Sequence, residues 1–251
     1  MGYFTVDLKP DFTASKLQAG TGAQNKVLFG WTPIQIPKGT VCLSSATALV
    51  RPKGDATPTP NPRGFELFFS TTNTQDFGDY RDDPTHIPNN DYIGVVELLA
   101  TQYGNTNTNG TMVLSSASNS EDGGQSNMPI IMTPTESASA GFDTIYVAAV
   151  VGVSQTFDFT TINTIETTEA ASATIHCDGS GMDLREHFLP GDVLHTATTV
   201  GAADADTLIG TVLTVDSATN LTLTDTAAVT HVDGTLIMNI NPIRIRLGFE
   251  Q

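Results

Sequence analysis

The chain has 251 residues, enough for one large or two small hydrophobic cores. Apolar residues make up 39% and charged residues only 15%, with Ser, Thr, Asn and Gly filling the difference, which is the composition of a rigid Thr-rich β protein and not of a disordered chain. The net charge of −16 argues against nucleic-acid binding, which needs clustered Lys and Arg to neutralise phosphates.

In chain order, Tyr3–Leu8 reads as a short strand within an extended arm that runs to Leu17 through Pro10 and packs on a neighbour. Gly20-Thr21-Gly22 is a turn. Lys26–Thr32 and Thr40–Ser45 read as strands separated by Pro33, Pro37 and Gly39, with Ala46–Val50 extending or following the second. Arg51–Arg63 is Pro-rich and polar and reads as a loop or a short polyproline II arm. Phe65–Ser70 carries aromatics on both faces and reads as a central strand, followed by a long acidic loop, Thr71–Asn90. Tyr92–Tyr103 is read as a strand on its β-branched start, although Glu97–Ala100 would allow a helical turn. Asn105–Gly110 is a turn and Ser116–Asn127 a loop, with a strand at Thr111–Ser115 between them. Strands at Met128–Thr133 and Thr144–Val153 complete an antiparallel β-sandwich.

Gln155–Thr174 reads as a Thr-rich linker to a second unit. That unit holds a strand at Ala173–Cys177, a turn at Gly179-Ser180-Gly181 and a helical turn at Asp183–Phe188, with Ser180 and Asp183 as N-terminal acceptors. Pro190-Gly191-Asp192 then launches Val193 and Leu194, and two strands meet across Ser217–Asn220. With Thr235–Ile240 these make a small β-barrel of about five short strands. Ile243-Arg244-Ile245-Arg246-Leu247 alternates apolar and basic, so its apolar face needs a sheet. The expected class is therefore all-β: an antiparallel sandwich of residues 1–160 plus 239–251, with a small acidic β-barrel of residues 171–238 inserted between two of its strands.

Charge follows the same division. Lys9, Lys16, Lys26, Lys38, Arg51, Lys53, Arg63 and Arg81 lie early, Arg244 and Arg246 late, and only Arg185 falls between Asp82 and Ile243. The acidic part is expected to project into solvent and the near-neutral base to dock. Cys42 and Cys177 could form one disulfide, but two free thiols are the expectation. The first residues lack a signal-peptide pattern and Val6 breaks a myristoylation signal; the longest apolar run, Ile145–Val153, is about half a membrane span, so no membrane partner is expected.

No nucleophile elbow, zinc-protease, P-loop or dinucleotide motif is present, and no enzymatic activity and no cofactor are expected. His176, Cys177, His187, His195 and His231 all fall in the small unit, but His176 and Cys177 face opposite ways on a strand and cannot readily share an ion. Asp76, Asp79, Asp82 and Asp83 are weak calcium candidates, as are Asp204 and Asp206; neither group matches an EF-hand loop, and solvated acidic loops are the plainer reading. Two glycosylation sequons, at Asn109 and Asn220, read as coincidence.

The module Phe188–Val229, FLPGDVL…TLIGTVLTVDSATNLTLTDTAAV, resembles a small β-module that recurs in virion proteins of tailed bacteriophages. In that module a Gly-Asp turn starts a strand and an IGTV-x-x-VDSAT-x-LTL hairpin follows. The resemblance covers well under half the chain and carries no catalytic signature. Nothing supplies the long spine helix of a major capsid protein. The resemblance thus implies an accessory virion component: a capsid decoration (cement) protein on the outer surface of the head, partnered by the major capsid protein and by its own copies, a trimer being one form. The alternatives are a tail, neck or fibre component, or a carbohydrate-binding module using Trp31 and Tyr80. The expected partner-binding residues are Tyr3, Phe4, Leu8, Lys9, Phe12 and Lys16 of the arm, with Tyr3, Phe4, Leu8 and Phe12 as anchors and the lysines as rim.

Overall fold

The computed structural model describes residues 2–55, 60–61, 63–85, 90–100, 112–117, 128–134, 141–152, 154–168, 172–178, 183–197, 206–227 and 230–251, with 112–117 described by backbone alone. The expected turn at Asn105–Gly110, most of the loop Ser116–Asn127, the turn Gly179–Gly181, the sequon at Asn109, Asp204 and Ala228-Val229 of the resembling module lie outside the described residues.

The early strands are β1 (Tyr3–Leu8), β2 (Gly22–Ala23), β3 (Val27–Pro37), β4 (Val41–Val50), β5 (Phe65–Ser70), β6 (Tyr92–Leu98), β7 (Met112–Ala117), β8 (Ile130–Met132), β9 (Phe142–Val151) and β10 (Thr156–Phe157). The later ones are β11 (Thr174–His176), β12 (Val193–Thr196), β13 (Leu208–Val215), β14 (Asn220–Leu223), β15 (Ile237–Asn239) and β16 (Ile243–Glu250). Two short helices, α1 (Ala14–Gln18) and α2 (Leu184–His187), interrupt them. The fold is all-β and antiparallel, as the alternation patterns require.

Two sheets face each other. The first runs β1-β16-β4-β7, with β8 also on β4; the second runs β3-β9-β5-β6. Their inner faces form one core from residues such as Leu43, Ala48, Ile245 and Leu247 on one side and Phe65, Leu67, Val147 and Ala149 on the other, all almost fully buried. The apolar/basic alternation of residues 243–247 places Ile243, Ile245 and Leu247 in this core and Arg244 and Arg246 on the outer face. β16 lies between β1 and β4, so the chain returns to the first sheet after the small unit.

Pro33 does not end β3, contrary to the sequence reading. The strand continues to Pro37, paired Pro33↔Tyr146 and Pro37↔Phe142, because β3 is the edge of its sheet and the missing N–H faces away from the ladder. The acidic loop after β5 is not a solvated excursion either. It folds over the outer face of the second sheet, where Phe77 is buried with Val27, Ala148 and Val150 against Trp31 and Phe68. The approach is close: a Cβ on Gly30 would lie 2.6 Å from the carbonyl oxygen of Gly78, which itself adopts φ +107°.

The residues read as a linker also pack. Phe157 and Phe159 join the main core, and β10 pairs with β2. Further on, β11-β14-β13-β12-β15 form a separate five-stranded sheet with its own core, including Ile175, Leu194, Ile209, Leu221 and Ile237. Its strand ladder stops short of closing a barrel. The segment 163–166 spans the gap instead: Ile165 N donates to Thr235 O and Glu166 N to His176 O, while Ile237 N donates to Asn163 O. Ile165 is fully buried in this second core. The helical turn between β11 and β12 forms as expected, with the Asp183 carboxylate accepting from Arg185 N at 3.0 Å; Ser180, the other expected acceptor, lies outside the described residues.

Candidate interaction surface

β1 is built by strict alternation. Phe4 and Val6 lean on the core and Leu8 is buried, while Tyr3, Thr5 and Asp7 point outward and are exposed. The register then carries this outward set across the sheet. Tyr3 lies opposite Glu250, Glu250 opposite Cys42, and Cys42 opposite Ile131, so four strands contribute one row on the outer face. Tyr3 is 73% exposed and Ile131 69%, the two most exposed large hydrophobic side chains among the described residues. Two rows further on, Asp7, Arg246 and Thr47 form a second such line. Between the rows the face is made of small groups, Thr5, Gly248 and Ser45.

Two of the charges on this face balance each other. Arg246 grips Asp7 with two bonds, Nε–Oδ1 at 2.7 Å and Nη2–Oδ2 at 2.8 Å, and this contact holds the Asp7 carboxyl below its ordinary range. A cleft of about 300 Å³ opens beside the pair, lined by Lys9, Thr47, Leu49, Leu189 and Arg244 among others. Lys9 Nζ reaches Gly191 O at 3.3 Å across it. The second sheet differs. There Glu66 and Glu97 stand directly opposite each other on β5 and β6, and burial together with the Glu97 charge raises the Glu66 carboxyl.

The arm read from the sequence is not a free arm. β1 pairs with β16 along its length, and Leu8 and Phe12 are core residues, 2% and 3% exposed. Phe4 stacks on Phe249 at 5.1 Å, and Phe12 packs edge-on against Phe29, Tyr80 and Phe159. Lys16 lies on α1, a helix that the sequence reading missed; Ala14 and Leu17 bury its inner side. Of the four expected anchors, Tyr3, Phe4, Leu8 and Phe12, only Tyr3 presents a large apolar surface to solvent. Ile131, on a three-residue strand, was not singled out; only the register brings it into line with Tyr3.

The four aspartates of the calcium reading are occupied by protein groups. Lys16 Nζ lies 2.6 Å from Asp82 and 3.7 Å from Asp79, and Lys26 Nζ lies 2.6 Å from Asp83. Asp79 also accepts from Thr13 Oγ1 at 2.5 Å, and Asp76 from Gly78 N at 3.1 Å. Asp206, the described member of the other pair, accepts from Ser15 N and Oγ at 2.7 and 2.6 Å. Among the described residues no three His, Cys, Asp or Glu side chains converge on a cation position. His187 and His231 are buried, His176 and His195 half-buried on separate strands, and neither cysteine is in a disulfide. Tyr80 is fully buried and cannot stack on a sugar; its hydroxyl accepts from Gly22 N at 2.8 Å and donates to Phe157 O at 3.1 Å. Trp31 is held by Phe77 and by an Nε1 bond to Gln75 O at 3.1 Å.

A buried polar cluster that the sequence reading also missed joins the small sheet to the sandwich. Asp192, wholly buried after the Gly191 turn (φ +83°), accepts from Arg244, from Leu189 N at 2.7 Å and from Asn239 Nδ2 at 3.0 Å. Arg51 Nη2 stands 3.7 Å away. Burial pulls the Arg51 guanidinium down to about 10 against the opposing pull of Asp192. The available signal was two arginines flanking apolar runs and an Asp after a Pro-Gly turn.

No family model, no curated protein and no solved structure matches this chain.

Proposed function

We propose that the protein is a structural component of a bacteriophage particle, a decoration protein that attaches to the outer surface of the head through the outer face of its first sheet. The observation that carries this reading is the row Tyr3–Glu250–Cys42–Ile131: two large apolar side chains held out to solvent on a sheet face whose Asp7 and Arg246 pair with each other. A few large side chains on a polar ground carry most of the energy of a docking surface, and Tyr is among the residue types enriched there. Among the described residues most of the acidic excess lies elsewhere, around the second sheet and on the small unit, which suits a chain with charge −16 that has to sit beside its own copies. The resemblance of residues 188–229 to a virion module supports the same class, and the major capsid protein is the partner this implies.

The test is a binding assay with purified particles lacking the protein, together with the copy number per native particle. The paired change Tyr3→Ala and Ile131→Ser is expected to weaken binding by about 2 kcal/mol or more, the range of interface anchors. Unchanged saturation by that variant would remove the sheet face as the attachment site. A copy number of a few per particle would favour a tail, neck or fibre position.

A further inference from the structure

The outer edge of β1 carries a second feature, independent of the sheet face. Gly2 and Gln251 exchange both backbone hydrogen bonds, each at 2.9 Å. In an antiparallel ladder bonded pairs alternate with non-bonded ones, so Phe4, Val6 and Leu8 direct their N–H and C=O groups to β16. Tyr3, Thr5 and Asp7 therefore direct theirs away from it. No described strand lies on that side, because β1 ends the order β1-β16-β4-β7. The edge is six residues long, without proline and without a bulge in its pairing to β16. Natural edges usually carry such interruptions to prevent pairing with another chain.

We infer that this edge pairs with the same edge of a second copy of the chain, antiparallel about a twofold axis at Thr5. The sequence of the strand is self-complementary in that register. Thr5 meets Thr5 of the second copy, and Tyr3 meets Asp7, so all three outward residues of each strand pair and about six backbone hydrogen bonds form. No like charges oppose each other directly: Asp7 faces the Tyr3 ring and is already neutralised by Arg246. The half-buried Phe4 and Val6 gain cover from their counterparts. The two first sheets become one continuous sheet, and the rows that include Tyr3 and Ile131 are doubled across it. The inference deepens the proposed function by naming a second copy as one partner, but it stands on the edge alone.

The test uses the whole chain without particles. Sedimentation equilibrium of the wild type is expected to show a monomer–dimer equilibrium at micromolar concentration. Thr5→Pro removes only an outward N–H, which β16 does not use, and is expected to weaken dimerisation about tenfold or more with an unchanged melting temperature. Thr5→Lys, which sets two ammonium groups together at the axis, should do the same and serves if the proline variant misfolds. In a Cys42→Ser background, Thr5→Cys is expected to form an intermolecular disulfide on mild oxidation, since paired strands bring such Cα atoms within bonding range. Val232→Cys, an exposed position away from the edge, is the control. A wild type that stays monomeric, a trimer, a dimer that Thr5→Lys leaves intact, or equal crosslinking of both cysteine variants would overturn the inference. A dimer that does not bind particles would leave it standing and remove the proposed function; a monomer that binds them would do the reverse.

Discussion

Arg244 on β16 donates to the carboxylate of Asp192, and Asp192 is fully buried at the entrance to β12. One residue belongs to the sandwich and the other to the small sheet, so this contact and the nearby Arg51 join the two cores through charge.

Removing the anion leaves the Arg51 and Arg244 guanidinium groups without the carboxylate between them. Asp192→Ala is expected to lower the unfolding free energy by about 3–5 kcal/mol, the range for breaking a buried pair from one side. Urea denaturation followed by far-UV circular dichroism measures it. A loss below about 1 kcal/mol, the level of a surface pair, would mean that the cluster does not join the cores.

His187 lies in the same seam, and burial, with the Arg51 charge beside it, pushes its pKa down to about 3. The folded state therefore refuses a proton that the unfolded chain accepts near the usual 6.5. Stability is fully present above that value and falls as pH drops from about 6.5 towards 3, by up to about 1.4 kcal/mol per unit. His231, also lowered by burial, adds to the same slope. The carboxylates held low by their partners, Asp7, Asp82 and Asp183, act only below the ordinary carboxylate range. Melting temperature is thus expected to decline between pH 6.5 and 5, and His187→Gln to flatten that decline. An identical profile in the variant would assign the slope to other groups.

β16 is an interior strand of the first sheet, and its loss would strip both β1 and β4 of a partner. Ile245→Ala is expected to cost about 2–5 kcal/mol, as for other large-to-small core changes. Truncation after Ile240 is expected to abolish cooperative unfolding of the sandwich, measured by calorimetry. A truncated chain with unchanged melting would contradict the central placement of β16.

The small sheet needs residues upstream of the strand that opens it. A fragment of residues 162–240 is expected to fold more stably than one of residues 171–239. The shorter piece loses buried Ile165, worth about 1.5–3 kcal/mol, and the bonds of segment 163–166 to both sheet edges. Equal denaturation midpoints would show the bridging segment to be dispensable.

Tyr80→Phe keeps the ring in place but leaves the buried Gly22 N–H and Phe157 carbonyl without their shared partner. The expected cost is about 1–3 kcal/mol, read from denaturant midpoints, and a neutral result would imply that water replaces the hydroxyl.

Local alternation was enough to define much of this molecule. Ile243–Leu247 writes an inward and an outward face into the chain and so required a sheet to return to, whereas Phe65–Ser70, with aromatics on both faces, marked a strand without marking its inner side, and Tyr3–Leu8 read as part of an arm. Alternation says nothing about which strand is an edge, so Pro33 read as a break when it sits harmlessly on the rim of the second sheet. Nor does polarity reveal a neighbour. The residues 155–168 read as a linker, and Asp76–Asp83 as solvent-facing ligands, because Phe159, Ile165, Lys16 and Lys26 meet their partners only across long stretches of chain. The proposed surface shows the same division: the outward set of β1 was present in the sequence, but its alignment with Ile131 and the open edge of Thr5 exist only once strand order and register are set by non-local hydrogen bonds.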